Sequence, residues 1–228
     1  ASQLEGWHGA PRLFNYLAEV QPVFNKRCVR CHDFGKEAEG VLNLAPDRGL
    51  AFNVSYNELW RRGFVRAIGA GPPQTQSAYA WGSHASKLVS ALRQEHYGVK
   101  LTSEEFDRIV TWIDLNAPYY PSYASAYPAH LAGRSPLDNR QLERLEQLTT
   151  VPLRRFASHG GNRGPQISFD RPELSPVLTR FSTRTPDYQE ALAIIQAGQK
   201  LLLKRPEADA AGFQPCPLDQ WREEKYQA

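Results

Sequence analysis

The sequence predicts a mostly α-helical protein. Apolar residues recur at helical spacing in several separate stretches, the first of which holds Leu13, Phe14, Leu17, Val20 and Phe24. That period is typical of helices with one buried face, and capping residues or prolines mark the starts of the later stretches. A chain of 228 residues with 41% hydrophobic residues is long enough for one large domain or for a small domain with an extension.

The first predicted helix leads into Cys28-Val29-Arg30-Cys31-His32. Pro22 lies within its apolar pattern, so we expect the helix to kink or restart there. Two cysteines three residues apart, followed directly by a histidine, have the spacing of c-type haem attachment. Residues i and i+3 lie on one side of a helical turn, which brings both thiols to one haem edge. We therefore predict one covalent haem c, held by Cys28 and Cys31, with His32 as the proximal iron ligand.

Two other uses of a CxxC pair fit this sequence less well. A structural zinc site takes four nitrogen or sulfur ligands, and the remaining cysteine, Cys216, is far away in the chain. A thioredoxin-like redox pair belongs to a βαβ pattern, whereas the flanks here are helical. With two cysteines assigned to haem, we expect Cys216 to be a free thiol or a link to another chain.

Three more helices are predicted between the motif and Pro118. Ser55 is the expected N-cap of the first, with Glu58 three residues later as in a capping box. A short helix follows from about residue 82 to 93, and Thr102 is the expected N-cap of the third. One helix precedes the motif, and the helix that Thr102 caps carries aromatic residues. These two helices match the arrangement of a class I cytochrome c, in which they cross and shield the haem.

The sixth iron ligand is predicted from the residues available. The chain contains no methionine, so the usual Met/His coordination is excluded. The histidine candidates are His8, His84, His96, His130 and His159. His96 lies just before a capped helix, where a ligand can reach the haem, and His84 at the start of the preceding helix is its rival. We predict ligation by His32 and His96, with an open or non-histidine site as the alternative.

The second half of the sequence predicts a helical extension. We assign residues 1–125 to the haem domain and residues 126–228 to an extension that packs on it or wraps it. Ser135-Pro136 is expected to start one charged helix and Thr185-Pro186 the last helix. Neither paired acids near a histidine nor a nucleophile motif is evident, and the loop at residues 158–165 lacks the form of a phosphate-binding loop.

Charge and composition limit the partners. A formal net charge of +3 is far from the dense positive stripe of nucleic-acid-binding proteins, and no apolar run reaches membrane-span length. Lys26, Arg27 and Arg30 form a basic cluster beside the expected haem edge. This cluster is a solvated face, a docking patch for an acidic redox partner, or a clamp on the haem propionates.

The expected location follows from the cofactor. Covalent haem attachment takes place outside the cytoplasmic membrane in most bacteria, which predicts a periplasmic or secreted protein. The chain begins at Ala1 without an initiator methionine, which we interpret as a processed chain or one excised from a longer chain.

Residues from about Val20 to Tyr120 resemble the C-terminal cytochrome c domain of hydrazine synthase alpha-subunit-like proteins and of related large planctomycete-type periplasmic proteins. The matching runs in that range are QPVFNKRCVRCH and GSHASKLVSALRQEHYGVKLTSEEFDRIVTWIDLNAPYY. A later run outside that range, ALAIIQAGQKLLLKRPEAD, matches as well. The resemblance implies one c-type haem held by two histidines, the distal one in a segment like residues 96–101. It does not imply hydrazine synthesis, which needs a second, specialised haem site and partner subunits, because this chain has one CxxCH.

Three functional classes remain. The first is an electron carrier with a six-coordinate haem, and the second is a haem enzyme or gas-binding sensor with an open or displaceable distal site. The third is an interaction module whose haem is structural. The available distal histidines favour the first class. We therefore expect a monohaem cytochrome that passes single electrons to a redox partner protein. It acts alone or as a domain of a larger redox protein, and we expect an electron-transfer protein more than an enzyme.

Overall fold

A computed structural model describes residues 7–9, 12–68, 75, 77–94, 96–121, 125, 127–156, 164–182 and 185–204. These residues form helices and irregular segments without a sheet, and the β-pairing among them is an isolated antiparallel bridge between Arg48 and Asn53. The mostly α class predicted from the sequence is thus confirmed. Within the same ranges, no helix combines the length and the apolar character needed to cross a membrane.

Seven α-helices follow one another in these ranges. They are α1 (Tyr16–Glu19), α2 (Gln21–Arg27), α3 (Val54–Arg61), α4 (Lys87–Arg93), α5 (Ser103–Asp114), α6 (Asn139–Thr149) and α7 (Pro186–Lys204). Short 3-10 segments lie between them at Ser83–Ala85, His96–Gly98, Leu131–Gly133, Leu153–Phe156, Pro172–Leu174 and Pro176–Arg180.

The first group of buried side chains packs α1 and α2 against α3 and α5. Tyr16 is fully buried, and its ring lies 4.9 Å from that of Trp112 and 5.5 Å from that of Tyr119. The chain turns at Val20 between α1 and α2, and Pro22 lies in the first turn of α2. A proline there removes no helical hydrogen bond, so the predicted restart is confirmed.

The predicted start of α5 is also confirmed. The Thr102 hydroxyl accepts a hydrogen bond from the Glu105 N–H at 3.1 Å, and the Glu105 carboxylate accepts one from the Thr102 N–H at 2.9 Å. Two N–H groups that lack helical partners are thereby satisfied by a reciprocal capping box.

The predicted N-cap of α3 is wrong. Asn53 caps this helix, with its Oδ1 accepting from the Tyr56 N–H at 3.0 Å. Ser55 is buried inside the first turn, where its hydroxyl contacts the hydroxyl of Tyr16 at 2.7 Å and donates to Gln21 at 2.5 Å. The Ser55 hydroxyl therefore hydrogen-bonds to residues distant in sequence and is not the N-cap that the local pattern predicted.

The predicted start of α6 is three residues too early. Asp138 is the N-cap, and its carboxylate accepts from the Gln141 N–H at 2.8 Å in a second capping box. Ser135 is instead buried, with its hydroxyl accepting from the Leu137 N–H at 3.1 Å.

A second group of buried side chains lies between α6 and α7. Leu142 and Leu145 face Ala191 and Ile195 in this core, and all four are fully buried. The helix α7 begins at Pro186 as predicted, and a Cβ atom added at Gly198 would lie 2.5 Å from a ring carbon of Phe169. Leu50, from the first half of the chain, also packs in this second group and so connects the two halves.

Candidate haem-binding site

The CxxCH motif forms one tight turn at the end of α2. Cys28 is the C-cap of α2, and its N–H still donates to the Phe24 carbonyl at 2.8 Å, four residues earlier. The N–H groups of Cys31 and His32 then both donate to the Cys28 carbonyl, at 3.1 and 3.0 Å. This turn brings the two thiols and the imidazole into one short stretch of chain, as covalent haem attachment requires.

The two cysteines of the motif are free thiols in different surroundings. Cys28 is partly buried in the first core and Cys31 is exposed. Burial raises the pKa of the Cys28 thiol to about 11, which disfavours the thiolate that disulfide exchange needs. Cys28 itself is therefore a poor nucleophile at neutral pH.

His32 is oriented by the backbone of a neighbouring loop. Its Nδ1 lies 2.7 Å from the Leu42 carbonyl oxygen, and its own carbonyl accepts from the Leu44 N–H at 2.8 Å. Because a carbonyl can only accept, Nδ1 carries a proton and donates it to the Leu42 carbonyl, which leaves Nε2 as the ring nitrogen that could bind a metal. Metal-binding histidines generally have such an acceptor on the other ring nitrogen.

The His96 ring lies next to His32. The two ring centroids are 5.9 Å apart and the ring planes are inclined by 38°. Metal–imidazole bonds of about 2 Å on both sides of one ion place two ring centroids roughly 6 Å apart. The centroid distance between His32 and His96 is therefore of the size found when two imidazoles bind one metal ion.

His96 is solvent-exposed and belongs to a 3-10 turn of three residues. Tyr97 in this turn has a φ of 47°, and the residue is 93% exposed. A positive φ is uncommon for a bulky residue, so the segment that carries the expected distal ligand holds a strained backbone and little buried surface.

The other histidine candidates have different neighbours. The His84 ring lies 5.0 Å from the ring of Tyr79, and His8 Nε2 lies 2.6 Å from an oxygen of Asp107. His130 lies in the second half, where its Nδ1 is 2.9 Å from the Ser135 carbonyl oxygen. His159 and Cys216 are outside the described residues. Among the residues described, no group of three or more His, Cys, Asp or Glu side chains is placed to hold a metal ion.

The basic residues ahead of the motif connect two helices. Lys26 Nζ and Arg27 Nε donate to the Glu105 carboxylate at 2.8 and 3.1 Å, which links the end of α2 to the start of α5. Burial acts to raise the pKa of Glu105, but hydrogen bonds from Lys26, the Thr102 N–H and Arg27 outweigh it and lower the pKa to about 2. Within the predicted basic cluster, Lys26 and Arg27 thus connect α2 to α5 through Glu105, whereas Arg30 is exposed.

Sequence reasoning missed two parts of this site. The Leu42 carbonyl is a backbone group, so no residue type identifies it. Arg171, in the second half, donates to the carboxylates of Asp33 and Asp47. Since 138 residues separate Arg171 from Asp33, no spacing in the sequence indicates that contact.

Comparisons of the chain with protein-family models, with curated proteins and with solved structures found no match.

Proposed function

We propose that this chain is a periplasmic or secreted monohaem c-type cytochrome that transfers single electrons. Cys28 and Cys31 would attach the haem covalently, and His32 and His96 would bind its iron. The observation that carries the proposal is the pair of imidazole rings 5.9 Å apart, one of which belongs to a CxxCH turn. The resemblance of residues 20–120 to cytochrome c domains of large periplasmic proteins supports the same proposal and allows the chain to be a domain of a larger redox protein.

Haem iron, when bound, supplies a one-electron couple between its ferric and ferrous states. The residues of this chain would set the balance between those states. Two imidazoles donate more strongly to ferric iron than a histidine and a thioether do, so we expect a potential well below that of Met-ligated cytochromes c. The hydrogen bond from His32 Nδ1 to the Leu42 carbonyl increases the donor strength of that ring and acts in the same direction.

The first test is the mass of the denatured protein, expressed in a host that attaches haem to exported CxxCH proteins. The expected mass is that of the chain plus one haem, and an unmodified chain would overturn the proposal. Replacement of His32 is expected to abolish normal assembly.

The second test compares two single-histidine variants by absorption spectroscopy. His96→Ala is expected to turn the haem high-spin and open it to carbon monoxide, because it removes the sixth ligand. His84→Ala is the matched control and should leave the spectrum unchanged. The opposite result would make His84 the distal ligand, and no change in either variant would remove the main support for an electron carrier.

A second candidate function is a haem enzyme or gas-binding sensor with a displaceable distal ligand. The exposure of His96 and the strained backbone at Tyr97 favour it, because a ligand on a short, weakly buried turn costs little to move. Low-spin bands of the wild-type protein that carbon monoxide leaves unchanged would support the carrier. Rapid carbon monoxide binding by the wild-type protein would support the sensor or enzyme.

A further inference from the structure

Arg171 joins two carboxylates on either side of the loop that follows the haem motif. Its Nη1 and Nη2 donate to Asp33 at 3.0 and 2.6 Å, and its Nε donates to Asp47 at 2.8 Å. Nη2 contacts Asp47 as well. One planar guanidinium from the second half of the chain therefore holds both carboxylates at once.

Charge and burial make this contact strong. Asp47 is 1% exposed and also accepts from the Ser168 hydroxyl at 2.6 Å, and a buried carboxylate is costly unless it is paired. Forked guanidinium–carboxylate contacts are among the strongest hydrogen bonds in proteins.

Asp33 and Asp47 are the two ends of a loop that orients His32. Asp33 follows His32 directly, and Leu42, whose carbonyl accepts from His32 Nδ1, lies within the loop. At the far end, the Asp47 carbonyl accepts from the Val54 N–H at 2.8 Å, which anchors it to α3. Arg171 therefore joins the two ends of the segment that carries the Leu42 carbonyl.

We propose that Arg171 is a positioning residue for the redox site: it closes loop 33–47 and thereby keeps the Leu42 carbonyl on Nδ1 of His32. The inference rests on the proposed function, because the effect reaches a redox potential only if His32 binds haem iron. Loss of the acceptor weakens the donation of the imidazole to ferric iron, so loosening the loop raises the potential. The second half of the chain then tunes the site in addition to packing against the first half.

The test compares Arg171→Lys with Arg48→Lys in the haem-loaded chain. Lysine keeps the positive charge but cannot form the fork. Arg48 is a matched control, because it joins the same two segments through Asp170, at 2.6 Å from Nη2, instead of through Asp33. The measurements are the hydrogen-exchange rate of the His32 Nδ1 proton by NMR in the ferrous state and the midpoint potential.

Arg171→Lys is expected to exchange the Nδ1 proton about tenfold faster, the factor that corresponds to the loss of one ordinary hydrogen bond, and to show a higher potential. Arg48→Lys is expected to match the wild type in both. If haem is attached and Arg171→Lys behaves like Arg48→Lys, the positioning role is overturned while the proposed function stands. A wild-type chain without haem would overturn the proposed function and the effect on potential with it.

A second variant covers the case in which Arg171→Lys does not fold. Asp33→Asn weakens the two hydrogen bonds between Arg171 and residue 33 and leaves the contact of Arg171 with Asp47 in place. Faster exchange of the His32 Nδ1 proton is again the expected result, and an unchanged rate would overturn the inference.

Discussion

Glu105→Gln is expected to weaken the crossing of α2 and α5 just ahead of Cys28. The Glu105 carboxylate accepts from Lys26 at 2.8 Å and from Arg27 at 3.1 Å, and it also closes the capping box with Thr102. Glutamine is accepted at that position of a capping box. The substitution therefore removes the charge and retains the cap.

The expected loss follows from the pKa of Glu105. Burial acts to raise this pKa, yet the hydrogen bonds from Lys26, the Thr102 N–H and Arg27 lower it from 4.5 to about 2. At about 1.4 kcal/mol for each tenfold change in proton affinity, the upper bound is about 3 kcal/mol of folding free energy. Because Lys26 is 62% exposed and solvent screens its charge, we expect a loss of about 1–2 kcal/mol.

The pH dependence of this contribution has a defined sign. The pKa of Glu105 is lower in the folded state than its ordinary 4.5, so the unfolded chain takes up the proton first. The stabilisation is thus fully present above that ordinary value and is lost as the pH falls toward about 2. Glu105→Gln should therefore unfold more easily than the wild type at neutral pH, and the difference should shrink in acid.

Denaturant unfolding of the intact chain, followed by circular dichroism at a series of pH values, measures this difference. Glu104→Gln is the matched control, because Glu104 is adjacent, 53% exposed and paired with Arg108 four residues later. Such exposed helical pairs contribute about 0.3–0.5 kcal/mol. Equal losses in the two variants, or a difference between wild type and Glu105→Gln that stays constant into acid, would refute the reasoning.

Three further predictions concern other parts of the chain. Gly198→Ala should destabilise the protein by about 1–3 kcal/mol through overpacking against Phe169, which thermal unfolding measures. Replacing glycine within a helix usually stabilises it, so a more stable variant would contradict the close packing at Gly198. Cys28→Ala should leave a single thioether and a weakened holo-protein, which mass spectrometry and haem-release assays detect, and wild-type haem retention would contradict it. Cys216 should be a free thiol or an intermolecular link, so the denatured haem-loaded chain should show at most one reactive thiol, and non-reducing electrophoresis distinguishes the two states.

Local rules account for the elements that were predicted correctly. The proline in the first turn of α2 has no N–H that could be left without a partner, and the Thr–Glu pair at the start of α5 satisfies two N–H groups within three residues. Both effects are local, so the sequence positions of these residues determine where the helices start. The wrong helix starts have the opposite cause. Ser55 and Ser135 resemble N-caps locally, but both are buried in the fold, and nearby Asn53 and Asp138 cap the helices instead.

The same division holds at the candidate site. The sequence by itself determined the CxxCH spacing and the absence of methionine, because spacing and composition need no fold. Only the tertiary structure decided that His96 lies 5.9 Å from His32 while His84 lies against Tyr79. Only the tertiary structure brought Arg171 to Asp33 and the Leu42 carbonyl to the ring of His32. Such contacts depend on how distant segments pack, and packing free energy is shared among many side chains that no short sequence pattern records.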